Sequence, residues 1–251
     1  MASNYDFGTK KYCVDIVMCI DATGSMGSLL DTVKANALSF YADLTKCMAE
    51  KGKYTDELRV KVIIFRDYLA DGKNAMLGTD FLTLPAQSAE FRNYVSGIEP
   101  FGGGDDPEDG LEAIAYAIKS KWTNASKKRR HIIIVWTDEE THPLGFGKNP
   151  ENGRYLVTDK FTWSRVKENA SLYPPRMAQN FDELTDWWGD TSMPGIMDNN
   201  AKRLLIYAPN MPYWSTISDN WDNVLHFPSE AGNGLKGLEY REILDAIANS
   251  I

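Results

Sequence analysis

The apolar positions along the chain change period several times, and each change marks an element. Residues 12–20, YCVDIVMCI, form a short run rich in β-branched residues that stops at Asp21-Ala-Thr-Gly-Ser. A buried strand followed by a loop is predicted there. From about residue 28 to 50 the step becomes three and four, through Leu30, Val33, Ala37, Leu44 and Met48, joined by Phe40 and Tyr41. That spacing predicts one long amphipathic helix. LRVKVIIFR at 58–66 and FLTLP at 80–84 read as the second and third strands. Their connection, which holds Asp71-Gly72, is too short for a crossover helix, so the two are expected to be antiparallel neighbours. Phe91, Val95 and Ile98 place a helix over 88–98, and Leu111, Ile114, Ala115 and Ile118 mark the next one. Pro107 suits its first turn, and Glu108 and Asp109 suit the positive end of its dipole. HIIIVWT at 131–137, RLLIYA at 203–208 and NVLHF at 223–227 are strands four to six, and a helix over 238–250 closes the chain.

Between 142 and 200 the pattern weakens into Pro, Gly, Asn and aromatic residues, with one helix expected near 178–188. This stretch reads as an irregular, aromatic-rich insertion at about 139–200 within a single domain covering 1–251. Strands alternating with helices predict an α/β fold. The expected form is a doubly wound, mainly parallel six-stranded sheet, with one antiparallel edge strand and helices on both faces. In such folds the site lies beyond the carboxyl ends of the strands, at the point where the strand order reverses.

Charge narrows the partners. Against 35 Asp+Glu there are 27 Lys+Arg, a formal net charge of -8. A nucleic-acid face needs concentrated basic residues. The only dense basic run, Lys127-Lys128-Arg129-Arg130, reads as a solvated loop before the fourth strand. No apolar run approaches the roughly 18–20 residues of a membrane span. Lys10-Lys11 before residues 12–20 imitates a signal peptide, but Asp15 interrupts the apolar stretch. Neither nucleic acid nor membrane is therefore an expected partner. Cys13, Cys19 and Cys47 are odd in number and unpatterned, which fits buried thiols in a reducing compartment and a cytoplasmic location. His131, His142 and His226 are scattered without zinc-site spacing.

Three carboxylate-bearing loops carry the candidate chemistry. Asp21, Thr23 and Ser25 follow the first strand, Asp105 and Asp106 end a Gly102-Gly103-Gly104 run, and Asp138 follows the fourth strand. In a doubly wound sheet the first and fourth strands are central neighbours, which brings Asp21 and Asp138 to one spot. Carboxylates and hydroxyls with no Cys or His nearby suit a hard cation such as Mg²⁺ or Mn²⁺. Such a site can stay unsaturated and accept a carboxylate from a partner. Glu139 and Asp106 are candidates for supporting it from outside the ligand set. Asp67 and Asp71, in the connection between the second and third strands, read as solvated, with support of the fold near the site as the alternative for Asp67. The glycine run lacks the Lys-Ser/Thr of a phosphate-binding loop.

DATGS at 21–25 and WTDEE at 136–140 together resemble the metal-ion-dependent adhesion site of the von Willebrand factor A (vWA) domain. The order of elements is similar over 12–138 and 203–250. FRDY at 65–68 and GGGDDPED at 102–109 make the likeness nearest to the branch found in vWA/alpha-kinase-type proteins. The resemblance implies a non-enzymatic module that binds Mg²⁺ (or Mn²⁺) through Asp21, Thr23, Ser25, Asp105 and Asp138 and meets a protein partner at the top of the sheet. The family's second-loop Thr is absent, with Asp105 in its place and Asp106 as the alternative. A third acid there would tighten metal binding and weaken the pull on an acidic partner. Two other readings stand beside this one. A phosphatase of the haloacid dehalogenase type would use Asp21 as nucleophile, but it needs a second Asp two residues on, where Thr23 sits. A regulatory subunit with a vestigial metal site is the other.

Overall fold

In the computed structural model, which describes residues 12–104, 106–148, 162–163 and 177–251, the apolar runs become strands of one sheet. They are β1 (Tyr12–Asp21), β2 (Glu57–Phe65), β3 (Met76–Gly78), β4 (Leu82–Leu84), β5 (Lys128–Trp136), β6 (Thr162–Trp163), β7 (Lys202–Pro209) and β8 (Val224–Ser229). The order across the sheet is β6-β3-β2-β1-β5-β7-β8, with β4 also paired to β2. β2, β1, β5, β7 and β8 are mutually parallel, while β3 and β4 run antiparallel to β2. If β3 and β4 count as one broken strand, the order becomes 3-2-1-4-5-6, that of a doubly wound nucleotide-binding-type sheet. The fold is thus α/β and vWA/Rossmann-like, as the alternation of periods predicts.

The helices are α1 (Gly27–Asn36), α2 (Phe40–Glu50), α3 (Tyr68–Asp71), α4 (Ser88–Ser96), α5 (Gly110–Ile118), α6 (Phe181–Trp188), α7 (Trp214–Asn220) and α8 (Tyr240–Ser250). They divide between two cores. Val14, Ile16, Met18 and Ile20 of β1 point into one core, shared with Leu30, Phe40, Leu44, Phe91, Ile243 and Ile247. Val17 and Cys19 point into the other, shared with Leu111, Ile114, Leu184, Trp188 and Trp214. Burial on both faces is why β1 and β5 read as continuous apolar runs rather than alternating ones.

The details depart from the sequence expectation in three places. Among the described residues the sheet has eight strands instead of six. The expected third strand, 80–84, is β4, and β3 lies on the same edge of β2 in a different register, Phe65 opposite Met76 and Leu58 opposite Leu84. The long helix predicted over 28–50 breaks at 37–39 into α1 and α2. There Asn36 Nδ2 donates to the Thr32 carbonyl and Ser39 Oγ to the Asn36 carbonyl, local bonds that compete with the helical ladder. β5 starts at Lys128, so most of the basic run belongs to the strand, and Arg129 pairs with Asp198 at 2.6 Å. Much of the insertion expected at 139–200 lies outside the described residues. Its described end packs Met177, Leu184, Trp187, Trp188 and Met197 into the second core. Among the described residues, no helix is long and apolar enough to cross a membrane.

Candidate metal centre

β1 and β5 are adjacent and in register, with Ile20 opposite Trp136. The chain turns one way from β1 to β2 and the other way to reach β5, so strand order reverses at their carboxyl ends. Asp21, the last residue of β1, therefore lies across from Thr137, the first residue beyond β5, and the Thr137 hydroxyl donates to Asp21 Oδ2 at 2.8 Å. Asp21 Oδ1 accepts from the Thr23 backbone N–H at 2.9 Å and from its hydroxyl at 2.6 Å. Ser25 Oγ donates to Asp138 Oδ1 at 2.8 Å. The two hydroxyl oxygens are 3.5 Å apart. Asp21, Thr23, Ser25 and Asp138 thus form one continuous cluster, with both carboxylates buried, Thr23 4% exposed and Ser25 at the surface.

The chemistry of this set suits a hard cation. Each hydroxyl has one proton and two lone pairs. Both protons are spent on the carboxylates below, which leaves lone pairs for an ion above. All the donors are oxygens, the preference of Mg²⁺ and Mn²⁺. Among the described residues, no group of three or more His, Cys, Asp or Glu side chains is arranged to hold a metal ion. Two carboxylates and two hydroxyls are a set of a different composition.

A cleft of about 280 Å³ opens over the cluster, lined by Thr23, Ser25, Gly103, Asp106, Glu108 and Glu139, among others. Asp106 is exposed on its rim and Glu139 half-buried beside it. Asp105 lies outside the described residues. Burial, followed by the charges of Asp138, Asp106, Asp21 and Glu140, pushes the Glu139 carboxyl up to about 7. Burial pushes Asp21 up to about 6, against the hydrogen bonds from Thr23 and Thr137 and with a smaller contribution from the Asp138 charge. Glu108 rises to about 10, first through burial and then through Asp21, Asp67, Asp109 and Asp71. The pattern is that of a rim with excess negative charge.

Three features outside the predicted ligand set hold the loops in place. Arg66 is 1% exposed and acts as a staple. Its Nε donates to the Ala22 and Phe101 carbonyls at 2.9 and 3.0 Å, Nη1 to Asn74 at 2.8 Å and Nη2 to Glu99 at 2.8 Å. One guanidinium thereby ties the first loop, the glycine loop and the β2–β3 connection together. Asp67, read as solvated or as a support near the site, and Asp109, read as a dipole residue, are both buried; they accept backbone N–H bonds from Leu69 and Tyr68, respectively, each at 2.6 Å. The loop after β8 also reaches the site. Gly234 N–H donates to Asp138 Oδ2 at 2.6 Å, and Gly232 N–H donates to the Asp138 carbonyl at 2.8 Å. Gly234 has φ +60°, and a Cβ there would overlap the Ser25 carbonyl oxygen. Gly-Asn-Gly at 232–234 was the one available sequence signal for this contact.

No protein-family model and no curated protein matches the sequence. Among solved structures, the pilus adhesin SpaC from Lactobacillus rhamnosus GG is similar at 16% identity and a TM-score of 0.48, over 96% of this chain and 31% of that chain. The PilB minor pilin from Streptococcus sanguinis is similar at 10% identity and a TM-score of 0.49, over 96% and 61%. The vWF domain of the type V pili tip protein Mfa5 from Porphyromonas gingivalis is similar at 13% identity and a TM-score of 0.43, over 96% and 95%. The chain thus spans about a third of the adhesin's length and under two thirds of the minor pilin's. At these identities and TM-scores the likenesses add nothing to the fold, which stands on strand order and register.

Proposed function

We propose that the chain is a vWA-like protein-interaction module that recognises its partner through a divalent cation, Mg²⁺ or Mn²⁺, at the top of the sheet. The observation that supports this is the continuous cluster from Asp21 through Thr23 and Ser25 to Asp138, drawn from two loops 113 residues apart between Ser25 and Asp138. In this reading Thr23 and Ser25 hold the ion, Asp21 and Asp138 supply charge, and Asp105 contributes from the glycine loop. Asp106 and Glu139 border the ligand set. A bound divalent ion would supply Lewis acidity toward an oxygen of the partner, a side-chain carboxylate being the strongest such ligand. The kinship of FRDY and GGGDDPED with the vWA/alpha-kinase-type branch belongs to the same proposal. So does a cytoplasmic location, which rests on the three buried free thiols; cell fractionation tests it, and recovery outside the cytoplasm would reject it.

A phosphatase reading is less well supported. Both Asp21 oxygens already accept hydrogen bonds, and the carboxylate is fully buried, so neither oxygen is open to a phosphorus atom. No lysine or arginine is among the described residues that line the cleft. A non-enzymatic role belongs to the same proposal, and turnover of aryl phosphates lost in Asp21→Asn would contradict it.

Thermal unfolding with and without Mg²⁺ tests the metal. At 100 times Kd a ligand adds about 2.7 kcal/mol, which for a chain of this size is roughly 5–10 °C. The expected result is that shift in the native chain and its absence in Asp21→Asn. No shift with Mg²⁺ or Mn²⁺ would favour a vestigial site.

A further inference from the structure

The loop between β8 and α8 serves two places at once. Gly232 and Gly234 bond Asp138 at the metal cleft. Glu230, Asn233 and Lys236 line a separate cavity of about 560 Å³, within the usual size of a ligand site. Its floor is aromatic. Tyr207 of β7 and Phe227 of β8 stack there, with ring centroids 4.6 Å apart and planes at 11°. Tyr207 is 5% exposed, and among the described residues its hydroxyl has no hydrogen-bond partner. Burial, and after it the charge of Glu242, raises its pKa, so the group is a neutral phenol near that carboxylate. Glu230 and Glu242 both line the cavity, and each is anchored through one oxygen. Glu230 Oε2 accepts from Asn233 Nδ2 at 3.2 Å, and Glu242 Oε2 accepts from the Glu239 N–H at 3.1 Å. Lys236 is the one cation among the described residues of the lining. Beyond the cavity the apolar surface continues: Leu225 and Phe227 are exposed on one face of β8, the last strand of the sheet.

We propose that this cavity is a second contact point for the protein partner and takes an arginine side chain. The proposal rests on the interaction-module reading above, but not on its cation. A guanidinium carries five N–H donors in a planar fork and no acceptor. The cavity offers the converse, with acceptor oxygens on Glu230, Glu242 and Tyr207. A guanidinium also stacks on aromatic faces, and the Phe227 ring is partly open to solvent. Two carboxylates against Lys236 leave the lining net negative. A polypeptide fits better than a free small cation, because the apolar surface runs on to Leu225 and the same loop borders the metal cleft. A chain lying across the top of the sheet covers both. The sequence hides this site: its rings come from two strands and its carboxylates from a loop and a helix, which only the fold brings together.

Titration of a blocked Gly-Arg-Gly peptide into the full chain, with chelator present and backbone amides followed by NMR, tests this. The peptide should shift the amides of Phe227, Glu230 and Lys236, which belong to the cavity. The same peptide with citrulline, which keeps the shape and loses the charge, should bind at least about fivefold more weakly. Glu230→Gln should weaken the arginine peptide by about two- to fivefold, the worth of an exposed ion pair. Phe227→Leu should do the same by removing the ring face. Lys236→Gln should tighten binding by about twofold, a gain that damage to the fold does not produce. Equal binding of the arginine and citrulline peptides overturns the proposal, as do shifts confined to other parts of the chain or a Lys236→Gln protein that binds no tighter. If Phe227→Leu does not fold, the two exposed positions, Glu230 and Lys236, decide the matter. Free arginine binding more tightly than the blocked peptide rejects a protein partner in favour of a small molecule. No binding by the native chain rejects the arginine site and leaves the cation reading standing, whereas arginine binding without any Mg²⁺-dependent melting shift rejects the cation alone.

Discussion

Arg66 shows how much one buried side chain can organise. Its guanidinium satisfies carbonyls at 22, 74, 99 and 101 together. Lysine has one point charge where arginine has a planar fork of donors. Arg66→Lys should therefore strand at least two of these carbonyls, that of Ala22 being buried and the others part-buried, at about 1–3 kcal/mol for each buried group left unsatisfied. Urea unfolding should show a loss of about 3 kcal/mol or more on that basis. A loss below 1 kcal/mol would mean that the loops hold themselves. The partners of Arg66 are backbone atoms from four stretches and leave no mark in the sequence. This explains why FRDY was legible only as a motif and not as a staple. Asp21, Thr23, Ser25 and Asp138 were legible because each follows a strand that is unmistakably apolar.

At the scale of elements, the loop between β8 and α8 is built around glycine. Gly234 sits at φ +60°, with its N–H on Asp138 and no room for a side chain. Gly24, in the Asp21-Ser25 loop itself, has nothing within 4 Å of a would-be Cβ and no positive φ. Gly234→Ala should destabilise the protein by roughly 1–3 kcal/mol through backbone strain and weaken Mg²⁺ binding. Gly24→Ala should change stability by less than about 0.5 kcal/mol, as open surface substitutions do. Equal effects from the two would show that the β8–α8 loop does not shape the metal site. The same scale explains the differences in secondary structure. The break at 37–39 keeps near-helical backbone, so the apolar stripe runs through it without a change of period. β3 is only three residues long, too short for periodicity to register. The strands buried on both faces were the easiest to find, because their runs leave no polar position to confuse them.

For the whole molecule, the acidic rim links stability to pH. Asp21 and Glu108 have folded-state pKa values raised to about 6 and about 10. A raised carboxyl means that the folded state holds its proton longer than the unfolded chain. The penalty is absent below the unfolded pKa, near 4, and grows as pH rises toward the folded value. Asp21 thus costs stability between about pH 4 and 6, and Glu108 continues to do so through neutral pH. Chemical unfolding without metal should accordingly show Glu108→Gln gaining on the native chain from pH 5 to pH 8. A difference between the two proteins that stays constant with pH would place the Glu108 charge outside the folding balance. The net charge of -8 does not by itself identify this rim; that depends on three loops meeting beyond the carboxyl ends of β1 and β5.

The most direct test is anomalous scattering at the manganese edge from crystals grown with Mn²⁺. The account predicts a single strong peak in the cleft, within bonding distance of Thr23 Oγ and Ser25 Oγ and beside the Asp21 and Asp138 carboxylates. A map with no peak there, or with manganese bound only at a distant surface, would contradict it.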